Sequence, residues 1–289
     1  MTLSSKIDSV ILSRIAPRTK HTKHVLDRLT KYEASDKQKT LDDEEVWTLL
    51  LLYGFIVGGE KSLPNLANVL MGTRPETVAE AWLELHPMSP RQGTSGNSER
   101  NSQIDLILGD AAIRQGTVGG VQYCKRPHGE DGWVCFVEAK WLSDIAAKTT
   151  HDWGRNQFAR VVETALTFQG DGQFPSHVHV TLLTPRIFKT PRESSASRLY
   201  AYKWREYVNK DGGINRNAIL ADIDRSRVDP RTSTKGWTYP KLGERIKTLT
   251  MSWVTYEQLL ESMPTSDFKT ELCKFAEYGT HLLQMSEVA

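Results

Sequence analysis

Asp105, Glu138 and Lys140 are the residues whose types and spacing point to chemistry in this 289-residue chain. Glu138 and Lys140 lie in the run Trp-Val-Cys-Phe-Val-Glu-Ala-Lys-Trp, residues 133–141. That run is apolar on both faces until the two charges, as a buried central strand of an α/β sheet is. Residues two apart in a strand point to one side, about 6–7 Å apart. Two charges so placed are costly unless they pair with each other, a metal or a ligand. Asp105 stands in a second strand-like run, Gln-Ile-Asp-Leu-Ile-Leu. Two carboxylates on neighbouring strands suit magnesium, a hard ion that takes oxygen ligands and keeps several waters. The carbonyl of Ala139 offers another oxygen. A lysine beside them balances charge and can hold or deprotonate an attacking water. Together these are the parts that phosphodiester hydrolysis needs.

The elements that must position them read as follows. Strand, turn, strand, turn, strand runs from Ile104 to Lys140, with Gly119-Gly120 and the 128–132 segment as turns, which predicts an antiparallel meander. Ser143-Asp144 has the look of a helix cap, and Asp152 that of the cap of a helix over 153–168. Asn156, Gln157 and Arg160 fall at the polar start of that helix. His177 to Thr184 is a further strand. Residues 197–208 form a helix rich in Tyr, Trp, Lys and Arg. A short helix near 214–223 precedes a mobile basic loop containing Arg225, Arg227 and Arg231. Leu249 to Val254 is strand-like, Thr255 to Gln258 is a capping box, and residues 267–283 form an amphipathic helix.

Upstream, residues 7–15 and 20–29 are helical. Thr40 opens a helix whose body, Val46 to Val57, is apolar all round and therefore buried. The acids at 42–45 favour its N-terminus. Ser62 to Met71 is a short helix. Thr73 to Glu76 reads as a capping box for a helix to Leu85, with Val78, Trp82 and Leu85 as its inner stripe. Residues 86–102 form a polar loop leading into the Asp105 strand.

At Asp105 and at Glu138-Ala-Lys140 the chain resembles the PD-(D/E)XK nuclease superfamily. Arg155, Asn156, Gln157 and Arg160 resemble the polar helix that often follows the Glu-x-Lys strand there. The resemblance covers residues 76–262 and implies an α/β, restriction-endonuclease-like mixed central sheet flanked by helices. It implies DNA cleavage with magnesium, for which manganese is expected to substitute. Asp105, Glu138 and the Ala139 carbonyl would be metal ligands, Lys140 the water-positioning group and Gln157 an active-site contact. Ile104 stands where many members have proline. The upstream helix acid that many members carry would be Glu84, Glu80 or Glu99. A helical region over 1–72 would precede a nuclease domain over 73–289.

Each motif has a blander counterpart. A strand-end salt bridge accounts for Glu138 and Lys140 alone, and Gln157 reads equally as a helix-surface amide. His177 and His179 read as exposed or satisfied histidines, and the aromatics of 200–205 as core. A non-cleaving nucleic-acid-binding or scaffold protein, or an RNA-cleaving relative, is the alternative on the same fold.

Composition sets outer limits. Hydrophobic content of 39% suffices for a core, and a net charge of +2 neither demands nor excludes a nucleic-acid partner. Three cysteines make no disulfide framework, and no Cys-x-x-Cys or His-x-x-x-His set suggests zinc. The longest apolar run, Val46 to Val57, is too short for a bilayer span of about 20 residues. The first residues lack a signal-peptide pattern. A cytoplasmic protein without membrane attachment is expected, with a homodimer left open.

Overall fold

The computed structural model describes residues 2–35, 43–59, 62–73, 75, 78, 80–91, 102–125, 131–147, 156–189, 198–234 and 236–286. The helices are α1 (Ser9–Ile15), α2 (Thr19–Ala34), α3 (Glu44–Val57), α4 (Ser62–Met71), α5 (Gln157–Leu166), α6 (Arg186–Lys189), α7 (Leu199–Tyr207), α8 (Arg216–Asp224), α9 (Leu242–Arg245), α10 (Tyr256–Ser262) and α11 (Asp267–Ser286). The strands are β1 (Glu80–Pro87), β2 (Ile104–Gly109), β3 (Ala111–Ile113), β4 (Gly120–Tyr123), β5 (Trp133–Ala139), β6 (His177–Thr184) and β7 (Leu249–Thr255). They form one mixed sheet in the order β3-β4-β1-β2-β5-β6-β7.

The two faces of β5 explain its continuous apolar sequence. Cys135, Val137 and Ala139 pack with residues of α1–α4, α10 and α11, whereas Val134 and Phe136 pack with α5, α7 and α8. Buried on both sides, the strand has no polar alternation to show. It pairs antiparallel with β2 and parallel with β6, which pairs parallel with β7. The all-round apolar α3 is buried from Val46 to Phe55 within the first of these clusters. Its N-cap is Asp43, whose side chain accepts from the Val46 amide at 3.1 Å. Thr40, the expected cap, lies outside the described residues.

Two expectations are corrected. The helix to Leu85 is instead strand β1, in which Ala81, Leu83 and Leu85 are buried at a spacing of two. Trp82 and Leu85 also fit a helical stripe, and pairing with β2 decides between the periods. Residues 104–140 are also no simple meander. β3 and β4 form a hairpin that swings to the sheet edge, where β4 runs parallel to β1. β5 then returns to the far side of β2. Gly109 makes the departure from β2, with φ of +106° and an added Cβ only 2.4 Å from the Trp133 carbonyl.

Downstream the sequence is read more closely. The Thr255–Gln258 capping box is present with both reciprocal bonds. Asp144 caps a helix, but not its own continuation: its carboxylate accepts from the Leu199 and Tyr200 amides at the start of α7. Asp152 lies outside the described residues, and α5 is capped instead by Asn156. The basic segment after α8 is anchored. Arg231 donates to the Ser89 carbonyl at 2.8 Å, and Arg225 pairs with Asp222 at 3.0 Å. No described helix is long and apolar enough to cross a membrane.

Candidate active site

The β2–β5 register pairs Leu106 with Val137, and one further step sets Asp105 opposite Glu138. The β1–β2 register pairs Leu83 with Leu106 and Leu85 with Ile104, which sets Glu84 opposite Asp105. Three acids therefore cross three adjacent strands in a row. Asp105 Oδ2 accepts from the Ala139 amide at 2.7 Å, so its carboxylate sits against the residue between Glu138 and Lys140. Glu138 is 1% exposed and Lys140 4% exposed, which makes them a buried pair rather than a solvated strand end. Their charged atoms are 3.0 Å apart.

Gln157 belongs to the same cluster. Asn156 starts α5 by accepting from the Ala159 amide at 2.9 Å. That places Gln157 in the first turn, where its Nε2 donates to Glu138 Oε1 at 2.6 Å and its Oε1 accepts from the Ala146 amide at 3.0 Å. The amide thus fixes Glu138 from one side while Lys140 holds it from the other. Arg160 follows on the same face of the helix, and its buried Nε has no hydrogen-bond partner. Arg155 lies outside the described residues.

Glu44, at the start of α3, completes the cluster. Its Oε1 accepts from Lys140 Nζ at 2.8 Å. Its Oε2 accepts from the Trp141 amide at 3.1 Å and the Ser143 hydroxyl at 3.0 Å. Stacking of Trp47 on Trp141, with ring centroids 4.2 Å apart, holds the helix start against the end of β5. Glu44 is thus an acid that a helix upstream of β1 brings to the cluster. Glu84 and Glu80 are strand residues, and Glu99 lies outside the described residues. The available signal was an acid opening the most apolar helix, because a buried helix delivers its first turn to the interior.

The electrostatics follow from crowding three carboxylates around one ammonium. Burial, then Glu138, push the Asp105 carboxyl well above the usual range, against Lys140. Burial raises Glu138 too, opposed by Lys140 and assisted by Glu44. Burial alone would lower Lys140, but Glu138, Asp105 and Glu44 outweigh it and raise its pKa. Surrounded by these carboxylates, Lys140 keeps its proton more firmly than burial alone would allow. Glu84 is pushed up to about 8, by burial first and by Glu45 second.

These shifts have a consequence for stability. A carboxyl whose pKa rises on folding binds its proton more tightly in the folded chain. The stability it lends is complete below its unfolded value and is lost as pH climbs through the folded one. For Glu84 that window runs from 4.5 to about 8, and Asp105 and Glu138 act in the same direction. In chelator, the urea midpoint is expected to fall across this window. Glu84→Gln, uncharged at every pH, should flatten the fall. A midpoint that rises through the window contradicts this.

The donor set suits a hard dication. Asp105 Oδ1 and Glu138 Oε2 accept no hydrogen bond among the described residues, while their sister oxygens are held. Three carboxylates against one ammonium leave negative charge to be neutralised. The Ala139 carbonyl accepts from Lys140 Nζ at 2.7 Å and has a second lone pair. His177 and His179 do not join the site. His177 is exposed, 3.8 Å from Asp131, and His179 is buried against the Thr250 and Ser252 hydroxyls. In α7, Tyr200 and Tyr207 are core, Trp204 is half-buried and Tyr202 is exposed. His21, Glu45 and Glu84, which no local spacing in the sequence connects, each place a ligand-type atom within 4.8 Å of the other two. Comparison of this chain with protein-family models, curated proteins and solved structures finds no match.

Proposed function

We propose that this protein is a divalent-metal-dependent endonuclease that hydrolyses phosphodiester bonds in DNA. The observation that carries this reading is the convergence of Asp105, Glu138 and Lys140, reached from two strands, with a carboxylate oxygen of each acid left open. The order helix α3, strands β1, β2 and β5, helix α5, strand β6 supports the resemblance to PD-(D/E)XK nucleases.

In this reading Asp105 and Glu138 hold magnesium, with the Ala139 carbonyl beside them. When bound, such an ion would neutralise charge on the phosphate and make water a better nucleophile. The chain's own residues do the rest. Gln157 and Lys140 fix the rotamer of Glu138 by occupying Oε1. Glu44, Glu138 and the Ala139 carbonyl take up the three donors of Lys140, whose ammonium would exchange one of these contacts for the attacking water or a non-bridging phosphate oxygen. Arg160 has a free donor one turn along α5 for a flanking phosphate.

The test is incubation of the purified chain with plasmid DNA, and separately with RNA, in magnesium or manganese and in chelator. Nicking or linearisation of plasmid is expected, lost in chelator and lost at least about 100-fold in Asp105→Ala. Cleavage that survives both would assign the activity elsewhere. Tight binding without cleavage would favour the scaffold alternative, and cleavage of RNA alone the RNA-cleaving one.

A further inference from the structure

We propose that His21, Glu45 and Glu84 form a second cation site, for a divalent first-row ion of the zinc type, beside the magnesium centre and separate from it. One ligand atom from each lies within 4.8 Å of the other two. His21 Nε2 stands 3.5 Å from Glu45 Oε1. Ligands of a tetrahedral zinc are roughly 3.3 Å apart, given bonds of about 2.0–2.1 Å. The three side chains come from α2, α3 and β1, which are rigid elements rather than a surface loop.

Two buried atoms at this point lack hydrogen-bond partners, and both are of ligand type. One is His21 Nε2 and the other is Glu84 Oε1. Glu84 is only 6% exposed, so solvent does not account for its open oxygen. The second oxygen of each of the two carboxylates is occupied. Glu84 Oε2 accepts from the Gln103 amide, and Glu45 Oε2 is held by Arg28. Arg28 is also held 2.6 Å from Asp43, so its guanidinium is turned to that side and Glu45 Oε1 faces His21. Arg18 is likewise engaged, donating to the Glu84 carbonyl and to Gln103 Oε1.

The backbone aims Glu84 at this point. Glu84 has φ of +56°, where a residue other than glycine is uncommon. Its neighbours alternate, with Trp82 packing towards α5 and Leu83 towards α3. The left-handed turn brings the Glu84 carboxylate to the side of Leu83, where both line the small hollow that contains His21 and Glu45. An imidazole with two carboxylates favours zinc, manganese, iron or cobalt over magnesium and calcium, which prefer all-oxygen sites. Glu44 and Glu45 would then serve two centres from consecutive positions at the start of α3.

The test uses the full chain, stripped with chelator and titrated with zinc chloride by calorimetry in excess magnesium. Cobalt chloride in the same buffer reports ligation by its visible absorption. A zinc equivalent not displaced by magnesium is expected, together with a rise in melting temperature. His21→Gln and Glu84→Gln should each weaken zinc binding at least about 100-fold, and Asp105→Ala should leave it in place. His21 is partly exposed, so His21→Gln is the variant whose folding is least at risk. Zinc binding unchanged in both variants, or absent in the parent chain, overturns the proposal. Loss in Asp105→Ala alone would assign the ion to the magnesium centre and overturn it equally.

Discussion

Replacing Lys140 with methionine is expected to lower magnesium-dependent plasmid cleavage by at least about 10³-fold and to destabilise the folded chain at the same time. Both effects have one origin. The Lys140 ammonium lies 3.0 Å from Glu138, 2.8 Å from Glu44 and 2.7 Å from the Ala139 carbonyl, at 4% exposure. Methionine keeps the length of the side chain and removes the charge. The carboxylates then face one another without a counter-ion, and removing one member of a buried pair costs about 3–5 kcal/mol. A second substitution separates structure from chemistry. Glu44→Gln in the Lys140→Met background removes an unpaired charge, so stability should partly return. Cleavage should not, because no ammonium remains to hold the water or the phosphate. Urea unfolding and plasmid cleavage, measured on the parent and both variants, supply both readouts. Cleavage by Lys140→Met within tenfold of the parent would remove Lys140 from the chemistry.

The pair formed by Lys140 and Glu44 also shows where sequence reading stops. Glu138 and Lys140 were legible because their meaning is local. An apolar run without alternation can be a strand buried on both faces, and charges at its end then call for partners. Gln157 was half legible, since its position at a helix start is local but the aim of that helix at Glu138 is not. Glu44 lies 96 residues before Lys140, and only packing of α3 against the sheet joins them. The same limit hid the cluster of His21, Glu45 and Glu84, which comes from three elements. β1 failed for another reason. In Glu-Ala-Trp-Leu-Glu-Leu-His-Pro the apolar residues fit a helical stripe and a strand alternation together. Hydrogen bonding to β2 settles the matter, and that partner lies beyond an intervening polar segment. The hairpin of β3 and β4 was visible as strands and turns, but its swing to the sheet edge rests on the backbone of Gly109, which a one-letter pattern does not reveal.

Arg91→Ala is expected to cost about 3–5 kcal/mol of stability while leaving the cluster of Asp105, Glu138 and Lys140 intact. Arg91 is 6% exposed and Glu163 fully buried, and their charged atoms are 2.8 Å apart. The guanidinium also donates to the Val228 carbonyl at 2.9 Å and the Ile223 carbonyl at 3.2 Å. One side chain therefore ties the end of the β1 segment to α5, α8 and the segment after α8. Alanine strips these acceptors of the Arg91 donors at once, while the Tyr239 hydroxyl continues to donate to the Glu163 carboxylate. A buried acceptor left without a partner costs more than its bond contributed, because its desolvation is no longer offset. Arg91→Met with Glu163→Leu tests the origin of the loss. An apolar pair of similar volume removes the buried carboxylate together with its guanidinium, so the double variant should be more stable than Arg91→Ala, with the two carbonyls accounting for what is not regained. Glu163 sits in the second half of α5, away from the Gln157 turn that reaches Glu138. Plasmid cleavage measured well below the lowered unfolding midpoint should accordingly remain dependent on magnesium. A loss under about 1 kcal/mol in Arg91→Ala would mean that water replaces the guanidinium at these acceptors, and the buried pair would then hold no special place in the fold.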